Sequence, residues 1–119
     1  MQNNVSYGDY KTIMQRIEAI VPTNVSREVI KAIRELGVGG VTIVESRGQG
    51  EGERPELQGK QAEFNPTDLI ITVVDDSQLD DAVSAILDTA HTGEKIDGKI
   101  FVTEVKEAYD IATKQKSSK

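Results

Sequence analysis

A run of apolar residues in the second half of the chain limits the folds that this sequence can adopt. The run is Leu69-Ile70-Ile71-Thr72-Val73-Val74, and it lies between two aspartates, Asp68 and Asp75. Its length is typical of a strand, and its β-branched side chains favour extended backbone. A strand that is apolar almost without interruption is typical of a buried position. The run therefore predicts a strand in the centre of a sheet.

Three other segments are predicted to be strands. Residues 14–21 alternate imperfectly between apolar and polar side chains and are stopped by Pro22. Residues 41–45 are rich in β-branched side chains, and residues 100–105 form a further apolar run.

Apolar residues at helical spacing predict two main helices and a short final one. The first helix is expected to begin at an N-cap, Ser26, and to end at Gly37. The second is expected to begin after a cap at Ser77 and to end at Thr92-Gly93, and the final helix covers residues 104–114. The apolar positions are, in chain order, Val29, Ile30, Ile33 and Leu36; Leu79, Ala82, Val83, Ile86, Leu87 and Ala90; and Val105, Ala108, Tyr109 and Ala112.

The order β-α-β-loop-β-α-β predicts an α+β, ferredoxin-like βαββαβ fold, in which two helices cover one face of an antiparallel sheet. In a chain of 119 residues, a neighbouring subunit is the expected cover for the other face. The predicted domain spans residues 14–112. An N-terminal extension, residues 1–13, precedes it, and a basic tail, residues 113–119, follows it.

The composition argues against several classes of function. The chain has a net charge of -6, one histidine and no cysteine, which excludes disulfides, thiol catalysis and thiolate metal sites. An acidic chain is a poor partner for nucleic acid. No segment approaches the roughly 18 apolar residues of a membrane-spanning helix, and the polar N-terminus has no apolar signal core. We therefore expect a cytoplasmic protein that does not insert into a membrane.

No set of residues has the pattern of a catalytic site. His91 lies at a helix end, where the helix dipole favours a solvated histidine. The acidic pairs Asp75-Asp76 and Asp80-Asp81 lie where a helix begins, and negative side chains are stabilised there. No nucleophile, base and orienting group can be assembled from these residues. An enzyme is therefore not expected.

Two glycine-containing segments are candidates for ligand binding. In residues 93–99, a short turn would present backbone N–H groups beside the ammonium group of Lys99, a combination that binds phosphate. In residues 37–42, glycines allow a flat group to approach the backbone, and Thr42 can hydrogen-bond to a base. The alternatives are an ordinary connection with a solvent-exposed lysine, and a helix end followed by a flexible loop.

The chain from Arg16 to Val105 resembles the PII signalling proteins. Four pieces carry the resemblance: residues 16–20, residues 35–50, residues 70–74 and the segment Thr92-Gly93-Glu94-Lys95-Ile96-Asp97-Gly98-Lys99-Ile100-Phe101-Val102. The resemblance implies a homotrimer that binds ATP and ADP competitively in clefts between subunits. It also implies that the glycine-rich stretch of about residues 48–65 is the T-loop, which docks on a target protein.

The resemblance also implies a set of nucleotide-binding residues. Some would line the adenine pocket, some would form the base of the T-loop near the phosphates, and some would form the phosphate-binding turn. In chain order they are Gly40, Val41, Thr42, Arg47, Gly48, Gly50, Val73, Thr92, Gly93, Gly98 and Lys99. ATP and ADP would be allosteric ligands, with no prosthetic group and no metal site.

Several positions depart from the family pattern. The predicted T-loop is shorter than in the familiar nitrogen-regulating members, which indicates a divergent member of the family. It contains no tyrosine or serine, so it offers no acceptor for a covalent switch. Thr67 stands where other members have a lysine that binds 2-oxoglutarate, and Asp110 and Ala112 stand where they have arginines that hold the triphosphate. Ile96 replaces a glycine of the phosphate turn. These changes argue against binding of 2-oxoglutarate and magnesium, and they indicate a weaker or rebuilt phosphate site.

The departures leave several readings open. The target is expected to be a transporter or a metabolic enzyme, and the pattern is similar to PII-like proteins associated with polyamine uptake. A membrane transporter or its ATPase would then recruit the protein to the membrane. The alternatives are a PII-like trimer that senses AMP, a cyclic nucleotide or bicarbonate, classical nitrogen regulation, and a trimeric scaffold without a ligand.

Overall fold

The computed structural model of the chain describes residues 12–48, 56–57, 60–61 and 65–117. Most of the predicted N-terminal extension and most of the predicted T-loop therefore lie outside the described residues. Within the T-loop, two short strands pair as a hairpin, β3 (Glu56–Leu57) and β4 (Lys60–Gln61).

The body of the fold is an antiparallel sheet with two helices. The strands are β1 (Met14–Pro22), β2 (Thr42–Gly48), β5 (Asn65–Asp75) and β6 (Lys99–Val105), in the spatial order β2-β5-β1-β6. The helices are α1 (Ser26–Arg34) and α2 (Leu79–Ala90). The ferredoxin-like βαββαβ prediction is confirmed. The apolar run of residues 69–74 lies in β5, which has a neighbouring strand on each side.

The core lies between the helices and one face of the sheet. The fully buried residues alternate along the central strands, as in Ile17 of β1 and Ile70 and Val74 of β5, and they meet Ile33 of α1 and Ile86 of α2. Burial of each of these side chains contributes roughly 1.5–3 kcal/mol relative to exposure. Most of the apolar positions that predicted α1 and α2 therefore face the core, whereas Leu36 and Leu87 are exposed.

The starts of both helices differ from the prediction. A short 3-10 helix (Thr23–Val25) precedes α1, so Ser26 lies inside the helical segment and its hydroxyl donates to the buried Asp68 carboxylate. Ser77 likewise lies within a 3-10 helix (Asp76–Gln78), which Asp75 and Gln78 cap. The Asp75 N–H donates to the Gln78 side chain at 3.2 Å. Both predicted caps were wrong, because a 3-10 turn moves each helix start.

The end of α1 agrees with the prediction. Gly37 has a φ of +79°, a left-handed conformation that glycine adopts at low cost. Its N–H donates to the Arg34 carbonyl at 3.0 Å, which closes the last turn of the helix.

The predicted final helix is absent from residues 104–114. Strand β6 runs to Val105, and a hairpin follows, formed by β7 (Tyr109–Asp110) and β8 (Gln115–Lys116). Lys114 has a φ of 61°, and its N–H donates to the Asp110 carbonyl at 2.8 Å. A helix this short needs an apolar face packed on a core, but Tyr109, on the predicted apolar face, is 57% exposed. The predicted domain end after residue 112 falls within this hairpin.

The face of the sheet that is opposite to the helices is called the open face here. Cross-strand partners share a face, and Ile20 pairs with Leu69 of β5 and with Lys99 of β6. Ile20 and Leu69 are half-buried, and Phe101, two residues beyond Lys99, is 48% exposed. No helix of the described chain covers these apolar side chains.

Candidate functional site

The turn between α2 and β6 is organised by one carboxylate. Asp97 ends a 3-10 helix (Lys95–Asp97), and its side chain accepts the N–H of Thr92 at 2.6 Å and the N–H of Gly93 at 2.9 Å. The Thr92 hydroxyl donates to the same carboxylate. These are charge-assisted hydrogen bonds, which are stronger than neutral ones. The Asp97 carboxylate thus accepts the backbone donors that would otherwise be available to an anionic ligand.

These hydrogen bonds stabilise the charged form of Asp97. The Thr92 hydroxyl is the largest cause, followed by the Thr92 N–H, with smaller contributions from the Gly93 N–H and from His91, and together they lower the pKa of Asp97 below its ordinary value of 3.8. Partial desolvation opposes the shift. Asp97 is therefore a carboxylate at neutral pH.

Gly98 fixes the turn to the end of β1. Its φ is +108°, and a Cβ atom added there would lie 1.8 Å from the Ile20 carbonyl oxygen. The clashing atom belongs to the backbone, so no side-chain movement can relieve the clash. Lys99 follows as the first residue of β6 and pairs with Ile20. Because Ile20 lies on the open face, the exposed Lys99 side chain lies there too.

The glycine-containing segment before β2 is connected to β5 by a side-chain hydrogen bond. The Thr72 hydroxyl of β5 donates to the Gly40 carbonyl at 2.7 Å. Val41 packs against the core, whereas Thr42 is exposed and pairs with Ile71. The register places Thr42 on the open face with Val73, since Ile71 and Val73 are two residues apart on β5.

The base of the T-loop lies where β2 meets the start of β5. Arg47 pairs with Pro66, and Gly48 pairs with Asn65. The Ser46 and Thr67 hydroxyls bond to one another at 2.7 Å, between the same two strands. Gly50, the remaining predicted site residue, lies outside the described residues.

Within one chain, the structure brings together some of the predicted site residues and separates others. Gly48 and the 92–99 turn lie at the same end of the sheet. Thr42 is at the other end of β2, about 20 Å from Gly48 along the strand. Thr42 and Lys99 are on the two outer strands, about 14 Å apart across the sheet.

Two cavities lie at the end of the sheet that holds the turn, and Ala90 and Asp97 line both. The larger, of about 460 Å³, is bounded by the 3-10 helix before α1, the start of β5 and the turn. The smaller, of about 210 Å³, is bounded by the end of α2 and by Gly98 and Lys99.

Sequence reasoning missed Asp97 and Asn65. In the sequence, Asp97 is one residue of a glycine-bracketed turn, and its position five residues after a threonine is the signal that it can accept from the backbone of a helix end. Asn65 was placed in the loop, whereas it is the buried first residue of β5. Asparagine is common in both loops and buried turns, so its sequence context gave no signal.

The described residues contain no group of three or more His, Cys, Asp or Glu side chains that could hold a metal ion. Among the same residues, none of the helices has the length and apolar character needed to span a membrane.

The fold and the turn define a small α+β domain of the ferredoxin-like class, with an open sheet face and a long loop between β2 and β5. A family model described as nitrogen regulatory protein P-II matches residues 14–115. The chain belongs to this family of nitrogen regulatory signalling proteins.

Individual relatives agree with the family match. A nitrogen regulatory protein P-II from Azospirillum brasilense is 39% identical over 107 residues, which cover 87% of this chain and 96% of that protein. One from Nostoc punctiforme is 36% identical and covers 88% and 97%. A Methanosarcina barkeri protein described as "Nitrogen fixation nifHD1 region GlnB-like protein 1" is 33% identical and covers 84% and 95%.

Proposed function

We propose that this chain is a PII signalling protein that binds ATP and ADP in clefts between the subunits of a homotrimer. The nucleotide sets the conformation of the T-loop, and the T-loop regulates a target protein in response to the energy state of the cell. The chain acts by binding rather than by catalysis. The observation that carries the proposal is Lys99, which follows the fixed turn at Gly98 and reaches the open face.

The phosphate site of this proposal rests on side chains more than on backbone. The N–H groups of Thr92 and Gly93 already donate to Asp97. In this arrangement they are not available to donate to a phosphate. Lys99 is left as the cation of the turn, with Arg47 at the base of the T-loop as the second. Both side chains are exposed and able to reorient.

The proposed homotrimer follows from the distance between the predicted nucleotide-binding residues within one chain. Thr42 and Lys99 lie on opposite outer strands of the sheet, so one nucleotide that uses both types of contact is best held between two copies. Packing of copies through the open face would also remove the half-buried Ile20 and Leu69 from water. A homotrimer meets both requirements.

The target in the proposal is a membrane transporter, its ATPase or a metabolic enzyme, and the protein itself is cytoplasmic. Recruitment to the membrane would then come from a transporter partner. The names of the relatives favour a target in nitrogen metabolism, whereas the departures of the T-loop favour a different one.

A second candidate is a trimer of the same kind that binds AMP or a cyclic nucleotide. The observation that favours it is Asp110, an exposed residue of β7 at a position where the resemblance implies an arginine that holds the triphosphate. An acidic side chain repels a triphosphate more strongly than a monophosphate.

Isothermal titration calorimetry with ATP, ADP, AMP and cyclic AMP tests the proposal. We expect ATP and ADP to bind, and Lys99→Ala to weaken both by about tenfold or more, since a hydrogen bond to a charged group contributes about 1.5–3 kcal/mol. Lys31→Ala, which removes an exposed lysine from α1, is the matched control and should leave affinity unchanged.

The same titrations include the outcomes that contradict the proposal. The absence of heat with every nucleotide would refute the sensor function, and unchanged affinity in Lys99→Ala would refute its phosphate role. Preference for AMP or cyclic AMP would establish the second candidate. Tighter ATP binding in the presence of 2-oxoglutarate and magnesium would show that the 2-oxoglutarate site is retained.

A further inference from the structure

The larger cavity at the end of the sheet has a chemistry unlike that of a phosphate site. It has a volume of about 460 Å³, which is within the range of small-molecule sites. Much of its wall is apolar and comes from Pro22, Val25, Pro66, Ala90 and Ile96. Of these residues, none belongs to the set assigned to the nucleotide.

The charge at this cavity is negative. Among the described residues that line it there is no lysine, arginine or histidine, and Asp97 is the one charged group. An anion that entered the cavity would lose water and meet a carboxylate, with no cation to offset the loss. A cation would be favoured by the same carboxylate. The wall therefore selects against phosphates and dicarboxylates.

A buried acceptor at the wall lacks a donor. Asn65 lines the cavity and is only 7% exposed, and its side-chain oxygen Oδ1 has no hydrogen-bond partner in the described part of the chain. Buried polar atoms are nearly always hydrogen-bonded, and an unpaired one is unfavourable. Two of the hydroxyls at the wall have other partners, because Thr67 hydrogen-bonds with Ser46 and Thr92 donates to Asp97.

We propose that this cavity binds a small primary alkylamine in its protonated form. The alkyl chain packs against the apolar wall, and the ammonium group donates to Asn65 Oδ1 after the terminal amide turns toward the cavity. The positive charge is favoured by Asp97. An ammonium group has three donors and no acceptor, so it complements the unpaired Asn65 Oδ1 and the Asp97 carboxylate. The cavity shares Thr92 with the set of residues assigned to the nucleotide, but the proposal does not require that a nucleotide binds.

Three four-carbon probes that differ only in their polar end test the proposal: n-butylammonium, n-butanol and butyrate. Each is titrated into the full-length ¹⁵N-labelled protein, and amide shifts are followed by NMR. We expect n-butylammonium to bind and to shift the amides of Asn65, Thr92 and Ile96. We expect n-butanol to bind about fivefold more weakly, the upper end of what an exposed charge pair contributes. Butyrate should give no shifts.

Other outcomes overturn the proposal. Equal or tighter binding of butyrate would mean that the cavity does not select for cations. Equal binding of n-butylammonium and n-butanol would mean an apolar cavity without a role for the acceptors. An absence of shifts with all three probes would mean that the cavity takes no ligand of this class.

Two variants test the acceptor and the charge separately. Asn65→Leu removes Oδ1 at similar volume, and we expect it to weaken n-butylammonium about fivefold and to weaken n-butanol less. Thr67→Lys adds a cation to the wall, so it should bind butyrate and no longer bind n-butylammonium. Thr67→Met is its uncharged control and should keep the wild-type preference for n-butylammonium over butyrate. If the Thr67 variants do not fold, Asn65→Leu decides alone: wild-type affinity for n-butylammonium in that variant overturns the proposal.

Discussion

The Asp97 carboxylate accepts the N–H of Thr92 at 2.6 Å, and the Thr92 hydroxyl donates to it as well. This pair joins the end of α2 to the residue before Gly98, so the start of β6 and the position of Lys99 depend on it. The turn of residues 92–99, which the sequence predicts to bind phosphate, thus contains a carboxylate that accepts its backbone donors. The first consequence is structural: the shape of the turn depends on the hydrogen bonds that Asp97 accepts.

Replacement of Asp97 by asparagine should loosen this turn. The amide keeps the size of the side chain but loses the charge and one acceptor oxygen, so the hydrogen bonds from Thr92 and Gly93 weaken. We expect a lower Tm in thermal unfolding and faster amide exchange at Thr92 and Gly93. Asp88→Asn, at an exposed position of α2, is the control. Wild-type exchange at Thr92 in Asp97→Asn would contradict the role given to the carboxylate.

The same carboxylate should contribute a pH-dependent part of the stability. The pKa of Asp97 is lowered below its ordinary value of 3.8 in the folded chain. The stability that this shift provides is therefore complete above the unfolded pKa and is lost as the pH falls through the folded pKa. Chemical unfolding of wild type and Asp97→Asn at a series of acidic pH values measures it. The difference between the two should shrink below a pH of about 4; a constant difference would contradict the shift.

Gly98→Ala should destabilise the protein more than Gly39→Ala. The added Cβ would lie 1.8 Å from the Ile20 carbonyl oxygen, and the φ of +108° is unfavourable for alanine. We expect a loss of about 2 kcal/mol or more in the free energy of unfolding. Gly39→Ala is the matched control, because nothing lies within 4 Å of its added Cβ. Both are measured by urea unfolding at one chain concentration, and equal losses would contradict the packing of Gly98 on β1.

Ser26→Ala tests the hydrogen bond that replaced the predicted helix cap. Ser26 and Asp68 are 4% and 5% exposed, and the hydroxyl donates to the carboxylate. Its removal takes a donor from a buried charged group, which costs about 1–3 kcal/mol. Ser84→Ala, at an exposed position of α2, should change stability by less than about 0.5 kcal/mol. If Ser26→Ala is equally neutral, the bond to Asp68 contributes nothing to stability.

Much of the fold could be predicted because its determinants are local. Residues 69–74 and 79–90 each have a pattern that one secondary structure satisfies, and Gly37 ends α1 in the left-handed conformation expected of it. The final segment could not be predicted in this way. The spacing of Val105 and Tyr109 fits a helix, but no partner surface supports one, and the turn at Lys114 makes a hairpin instead.

The site was less predictable than the fold. Lys99 and Gly98 were found because glycine and lysine in a short turn indicate their own chemistry. The role of Asp97 depends on how the backbone of residues 92–98 folds back on itself, and the role of Asn65 depends on which elements surround it. The cap predicted at Ser26 failed for a similar reason, because the Ser26 hydroxyl donates to Asp68, 42 residues away in the sequence.

Native mass spectrometry of the full-length protein tests the central claim most directly. The protein is loaded with ADP, excess ATP is added, and the mass of the assembly is recorded before and after. The account predicts a trimer that carries one ADP per chain and exchanges it for one ATP per chain, with both reduced in Lys99→Ala. A monomer that binds no nucleotide, or simultaneous binding of ATP and ADP to every chain, would contradict it.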